Sequence, residues 1–185
     1  MKNFNEIYDY IKVTRQKYTD KFHSGFAEFY FDYFKDKRES IEKIMEIGVN
    51  RAGSILFWKE YFVNAQIYGI DTRPRILNYV EDRVHMDVID QGNRKTLLEY
   101  ATINGPFDII IDDGSHITSD QVASFETLWS FVTNGGHYIV EDIKVAQDIK
   151  YKNMEVDIVS YFNNTDKSEM EFINIKPNMI IMKKL

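Results

Sequence analysis

The chain contains no cysteine, which excludes disulfides, thiolate-bound zinc and thiol nucleophiles in one step. It lacks any run of ~18 consecutive apolar residues, the length that a membrane-spanning helix requires. A basic surplus is missing too. Lys and Arg number 23 against 29 Asp and Glu, and the formal charge of −6 disfavours a nucleic-acid backbone as main partner. The start, MKNFNEIYDY, has no apolar signal-peptide core, which points to the cytoplasm. Internal repeats and low-complexity tracts are likewise absent. What is present is ordinary globular material. The 185 residues suit one domain, 44% are hydrophobic and 28% charged. A chain of this size buries ~70% of its unfolded surface without staples. Aromatics, at 15%, are plentiful, and many fall in the first 34 positions.

Those first 40 residues read as helical. Phe26, Phe29, Tyr30, Tyr33 and Phe34 recur at helical spacing, with Ser24 as an expected N-cap and DKRES at 36–40 as the stop. The aromatic helices are also candidates for a homo-oligomer interface. Strands and helices then alternate. Apolar strands are expected at Ile44–Ile47, Ala65–Ile70, Arg83–Val88, Phe107–Ile111 and Tyr138–Val140. Helices are expected at Ser54–Phe62, Pro74–Val80, Lys95–Tyr100 and after a Thr118 or Ser119 cap, the last with Val122, Phe125, Trp129 and Val132 inward. Gly135-Gly136 reads as the turn into the fifth strand. Short apolar strands separated by helices imply a mostly parallel sheet covered on both faces. The tail differs: Glu171–Ile175 and Met179–Met182 are separated only by Lys176, Pro177 and Asn178, a link that only an antiparallel hairpin can use.

Chemistry collects at the strand ends, where open α/β sheets bind ligands. Phe107–His116, FDIIIDDGSH, empties a buried-type strand into Asp112, Asp113 and His116. Glu141-Asp142 ends the next strand, so up to four carboxylates and an imidazole converge. Carboxylates so close repel one another, and a hard divalent cation such as Mg²⁺ relieves them. His116 has the side chain to act as general base. Ser115 is rejected as a nucleophile, because DGSHI is not a GxSxG elbow. In the turn Glu46–Ser54, EIGVNRAGS, Gly48 permits a sharp exit and Ala52-Gly53 opens a helix whose amides face a ligand. Asp71 ends the second strand 25 residues after Glu46, near the ~20-residue offset of a ribose-binding acid. Asp87, at the end of the third, could hold an adenine amine. Each acid also has a plain reading as a turn or cap residue. A nicotinamide-dependent oxidoreductase and a non-catalytic subunit of a polysaccharide-building complex are the rival readings, although GVNRAG is not GxGxxG.

Across about residues 19–142, these segments resemble class I S-adenosylmethionine-dependent methyltransferases: EIGVNRAGS with the run to Trp58, IYGID at 67–71, FDIIIDDGSH, Gln121 with Ser124-Phe125, and GGHYIVED at 135–142. The nearest branch is the macrocin/mycinamicin-type sugar O-methyltransferases, relatives of cephalosporin hydroxylase-like proteins. The resemblance implies a Rossmann-like α/β fold with a mostly parallel seven-stranded sheet, a C-terminal antiparallel hairpin and helices on both faces. It implies one domain over 1–185, with 1–40 as a helical lid and 41–185 as core. It implies Mg²⁺ or another divalent cation on Asp113, Glu141 and Asp142, with His116 as base and Asp113 beside it in catalysis. S-adenosylmethionine would meet Glu46, Gly48, Asn50, Ser54, Asp71, Asp87 and Asp112. Thr19, Lys21 and His23, with Tyr30, resemble the family's lid side. The implied acceptor is a small sugar-containing molecule, with loops from 1–40 and 143–168 covering it.

Overall fold

A computed structural model describes residues 1–13, 19–143, 158–176 and 178–185. The stretch 144–157, most of one expected substrate-covering loop, lies outside the described residues, as does Pro177 of the expected hairpin link. Internal packing divides the chain into two compact units, Met1–Val88 and Ile89–Leu185.

In the first unit, β1 (Lys43–Ile47), β2 (Gln66–Asp71) and β3 (Val84–Val88) run parallel in the order β3-β2-β1. Helix α3 (Gly53–Tyr61) follows β1 and is buried almost all round. Its sequence, GSILFWKEY, has apolar residues on most sides because a second layer covers it. That layer is the amino-terminal segment: α1 (Phe4–Val13), a 3-10 turn at Asp20–Phe22 and α2 (Phe26–Tyr33). Tyr30 packs edge-on to Trp58 at 4.9 Å, Phe22 to Phe57 at 5.8 Å, and Phe31 lies 5.0 Å from Tyr61. Such ring pairs each add about 0.5–1.5 kcal/mol beyond their burial. Most of the early aromatics are thus consumed inside this unit. The cap of α2 differs from expectation. Gly25 at φ 76° supplies the left-handed N-cap, while the Ser24 hydroxyl donates to the Lys21 carbonyl. The proline-led helix after β2 is a 3-10 helix, Pro74–Asn78.

In the second unit the strand order is β4-β5-β7-β6: β4 (Phe107–Asp112), β5 (Val132–Glu141), β6 (Met170–Lys176) and β7 (Met179–Lys184). β4 and β5 are parallel, whereas β7 lies antiparallel between β5 and β6, the hairpin expected from the short link. Helices α4 (Arg94–Asn104), α5 (Thr118–Leu128) and α6 (Ile158–Asn164) complete the unit. Two expectations need correction. Val132 belongs to β5, not to the inner face of a helix, because the chain leaves α5 at Leu128 through a one-turn 3-10 segment. Gly135-Gly136 lies inside β5, not before it. The pairing with β4 jumps from Phe107↔Val132 to Ile109↔His137, and Gly135 at φ 77° absorbs the irregularity. Gly136 is needed for space: a Cβ there would lie 2.8 Å from the Asp108 carbonyl. Only β7 runs against its neighbours, since β6, antiparallel to β7, is parallel to β5; the seven strands make the expected mostly parallel, Rossmann-like sheet with a carboxyl-terminal antiparallel hairpin.

Candidate active site

The β4–β5 ladder decides where the acids go. Asp112 is in register with Val140, so the chain leaves both strands at one edge, Asp113 from β4 and Asp142 from β5. There Asp113, His116 and Asp142 bring one potential ligand atom each to within 4.8 Å of one another. All three are half-buried. His116 Nε2 stands 4.0 Å from Asp142 Oδ2, and its Nδ1 is buried without a hydrogen-bond partner. Both His116 and Asp142 sit in the left-handed region, at φ 58° and 55°. Non-glycine residues there carry strain of order 1 kcal/mol, which the surrounding structure must hold. Glu141 lies outside this group. It closes β5 opposite Met179 and is 1% exposed. The chain leaves extended geometry between the two, for β5 ends at Glu141 and Asp142 is left-handed.

Asp112 is wholly buried, and its carboxylate is bound from within the protein. Gln91 Nε2 donates to Asp112 Oδ1 at 3.0 Å and Oδ2 at 3.2 Å, and the Gly114 amide donates to Oδ1 at 3.3 Å. The same Gln91 donates to Ser124 Oγ at 3.0 Å and accepts from the Ser115 amide at 2.7 Å. Burial pushes the Asp112 carboxyl up to about 6, although Gln91 and the Gly114 amide pull the other way. Its part is therefore to hold the DGSH loop. Ser115 is a staple: its hydroxyl donates to Asp120 at 2.8 Å and accepts from the Ile117 amide at 3.2 Å. That staple replaces the expected cap. Ile117 is the N-cap of α5, and neither Thr118 nor Ser119 caps it.

The first unit builds a separate feature around the turn after β1. Gly48, Asn50 and Ala52 all take left-handed φ, at 88°, 50° and 60°. The Asn50 amide donates to Asp71 Oδ2 at 2.8 Å, and the Arg73 amide donates to Oδ1 at 2.9 Å. Asn50 Oδ1 accepts from Arg73 and Arg75, each at 2.7 Å. At the strand side, Ser54 Oγ donates to Glu46 Oε2 at 2.6 Å. Lys21 Nζ lies 3.3 Å from Glu46 Oε1, with both side chains almost fully buried. Gly69 lets these layers touch: a Cβ there would fall 2.6 Å from Met86 Sδ and 2.7 Å from Val49 Cγ2.

No protein-family model matches the chain. Individual relatives do. Demethylmacrocin O-methyltransferase of Streptomyces fradiae is 35% identical over 147 residues, covering 75% of this chain and 37% of that protein. Mycinamicin VI 2''-O-methyltransferase of Micromonospora griseorubida is 34% identical over 154 residues, with the same coverage of both chains. The solved MycE methyltransferase, in complex with Mg and SAH, superposes with a TM-score of 0.74 at 26% identity, over 85% of this chain and 49% of that one. The chain is homologous to the macrocin- and mycinamicin-type sugar O-methyltransferases. It spans about a third of the length of the curated relatives it matches. A caffeoyl-CoA O-methyltransferase-like structure from Staphylococcus aureus matches all of the chain, with a TM-score of 0.66 at 15% identity, and shares the fold alone.

The remaining expected positions fall unevenly. Thr19 is buried and accepts the Lys21 amide at 3.3 Å. Tyr30 is core, against Trp58. His23 is exposed at the end of the first 3-10 turn, and Asp87 is exposed on β3. Two residues carry more than sequence reasoning assigned to them. Gln91 received no role, although IDQG directly follows β3, whose penultimate residue is Asp87. Gln121 was noted only as part of the resemblance, yet it is 1% exposed and unpartnered at both amide atoms.

Proposed function

We propose that this chain transfers a methyl group from S-adenosylmethionine to a hydroxyl of a small sugar-containing acceptor, with Mg²⁺ or a similar divalent cation in attendance. The observation that carries the reading is the strained Asp113–His116–Asp142 group at the shared edge of β4 and β5. Its two carboxylates suit a hard cation, and beside them stands an imidazole whose buried Nδ1 has no hydrogen-bond partner among the described residues. Asp113 and Asp142 would hold the ion, which would supply a positive field that lowers the pKa of a coordinated hydroxyl. His116 takes the acceptor proton at Nε2, the ring nitrogen on the Asp142 side. The Asp142 carboxylate then faces the imidazolium and stabilises its charge. As the acceptor oxygen bonds to carbon, the S–CH₃ bond breaks and S-adenosylhomocysteine leaves.

In the first unit, Glu46, Gly48, Asn50, Ser54 and Asp71 form the donor cradle in this reading, with Thr19 and Lys21 behind Glu46 and with His23 and Asp87 at its margin. Asp71 would take the ribose hydroxyls with the lone pairs left over from Asn50 and Arg73. Glu141 stays assigned to the edge as a buried acid near the ion, and Asp112 serves the loop more than the donor. We assign the chemistry to one functional domain over 1–185, located in the cytoplasm. No described helix is long and apolar enough to cross a membrane.

The test is methyl transfer from labelled S-adenosylmethionine to a panel of methyl glycosides and nucleotide sugars. EDTA should abolish turnover and added Mg²⁺ should restore it. His116→Ala should retain S-adenosylhomocysteine binding while turnover falls by ~10²–10⁴-fold. Turnover indifferent to both treatments would end the proposal.

A further inference from the structure

The segment from Ser115 to Ser124 contains two kinds of polar side chain. Ser115, Asp120 and Ser124 are tied down: Ser115 Oγ donates to Asp120 Oδ2, and Ser124 Oγ donates to the Asp120 carbonyl at 2.9 Å while accepting from Gln91. Thr118 and Gln121 are not. Among the described residues the hydroxyl of Thr118, 5% exposed, has no partner, and neither Oε1 nor Nε2 of Gln121, 1% exposed, is bonded. Counting His116 Nδ1, four buried polar atoms without partners fall within six residues. Buried polar groups are bonded in the great majority of cases, and a whole amide left empty is a costly exception that needs a cause. Thr118 and Gln121 stand three apart on α5, hence on one face. Side chains of a helix lean toward its amino terminus, which here is the loop that carries His116.

We infer that Gln121 and Thr118 form a subsite for a neutral group with both a donor and an acceptor, namely a hydroxyl of the acceptor sugar other than the one methylated. The inference rests on the proposed sugar O-methyltransfer and adds the residues that select the acceptor. The chemistry argues against other occupants. An anion would face Gln121 Oε1, a cation would face Nε2, and an apolar group would satisfy neither. A hydroxyl donates to Oε1 and accepts from Nε2 at once, and the Thr118 hydroxyl can take either role beside it. The adenine edge of the methyl donor has the same paired donor and acceptor, so the test must separate the two sources. A site built to bond a hydroxyl rejects the analogue lacking it far more strongly than an apolar pocket can.

Gln121→Met, of similar length and apolar, separates a ligand group from a structural one. Thermal unfolding without ligand comes first. Tm should rise by about 2–4 °C for each kcal/mol of relieved desolvation. A fall in Tm would show that the amide supports the fold and would overturn the inference. Calorimetric titration with S-adenosylhomocysteine comes second. An unchanged Kd is expected, and a tenfold loss would assign the amide to adenine instead. The third measurement is kcat/KM on methyl α-L-rhamnoside, methyl glucoside, dTDP-rhamnose and the deoxy analogue of whichever the wild type accepts. The variant should lose at least tenfold on the hydroxylated acceptor, mainly through KM, and little on the deoxy analogue. Equal losses on both would refute the subsite while leaving sugar methylation intact. A wild type that methylates no sugar would remove the functional reading and the subsite together.

Discussion

Gln91→Leu tests how the DGSH loop is held. The substitution keeps approximate size and removes every bond that Gln91 makes. Asp112 loses the donor that spans both its oxygens, at 3.0 and 3.2 Å, and keeps the longer Gly114 amide at 3.3 Å. The Ser115 amide loses its 2.7 Å acceptor, while Ser124 still donates to the Asp120 carbonyl. A bond to a charged group is worth about 1.5–3 kcal/mol and an orphaned neutral donor costs about 1–3. Relaxation and water entry recover part of this, so about 2–4 kcal/mol of destabilisation is expected. The loss should depend on pH. Burial raises the folded Asp112 pKa to about 6 from the usual 3.8, so this group's contribution is present at low pH and is lost as pH rises through about 6. The Gln91 bond favours the charged carboxylate. Its removal should therefore weigh more at pH 8 than at pH 5, where Asp112 is mostly protonated in both proteins. Urea unfolding of the EDTA-treated proteins at both values measures the difference. A loss under 1 kcal/mol, or the same loss at pH 5 and pH 8, would refute the assignment.

Further expectations concern other parts of the fold. Gly69→Ala should cost about 1–3 kcal/mol, read as a lower Tm, because its methyl would collide with Met86 and Val49; an unchanged Tm would mean the layers are loose. Lys21→Met should destabilise by about 3 kcal/mol by leaving Glu46 charged in the interior, and the double variant with Glu46→Gln should recover much of it; strict additivity in the cycle would deny the pair. His116→Gly should gain up to about 1 kcal/mol by relieving the residue at φ 58°, while His116→Ala should not; a Gly variant of lower stability would show that the imidazole supports the loop.

The alternation of short apolar runs was enough to place the strands, because a strand buried on both faces must be apolar along its length and must end where polarity resumes. Ile109, Ile110 and Ile111 running into Asp112 and Asp113 is that transition, and the three-residue link at 176–178 left the last two strands no route but antiparallel. Residue type and strand-end position therefore named the acids and the histidine. They did not say which way each would face. A shift of one residue along extended chain reverses a side chain, so Asp112 and Asp113, equal in the sequence, separate into a buried loop anchor and a member of the half-buried cluster. Glu141 and Asp142 divide where the chain leaves the strand, at the left-handed φ of Asp142. Gln91 gave no periodic or motif signal and Gln121 entered only with the resemblance, since one buried amide counts for nothing until its partners, or the lack of them, are known. Composition and period record what a residue prefers locally. Which polar groups are satisfied, and which are left open for a ligand, depends on atoms brought together from distant parts of the chain, and only the packed structure supplies them.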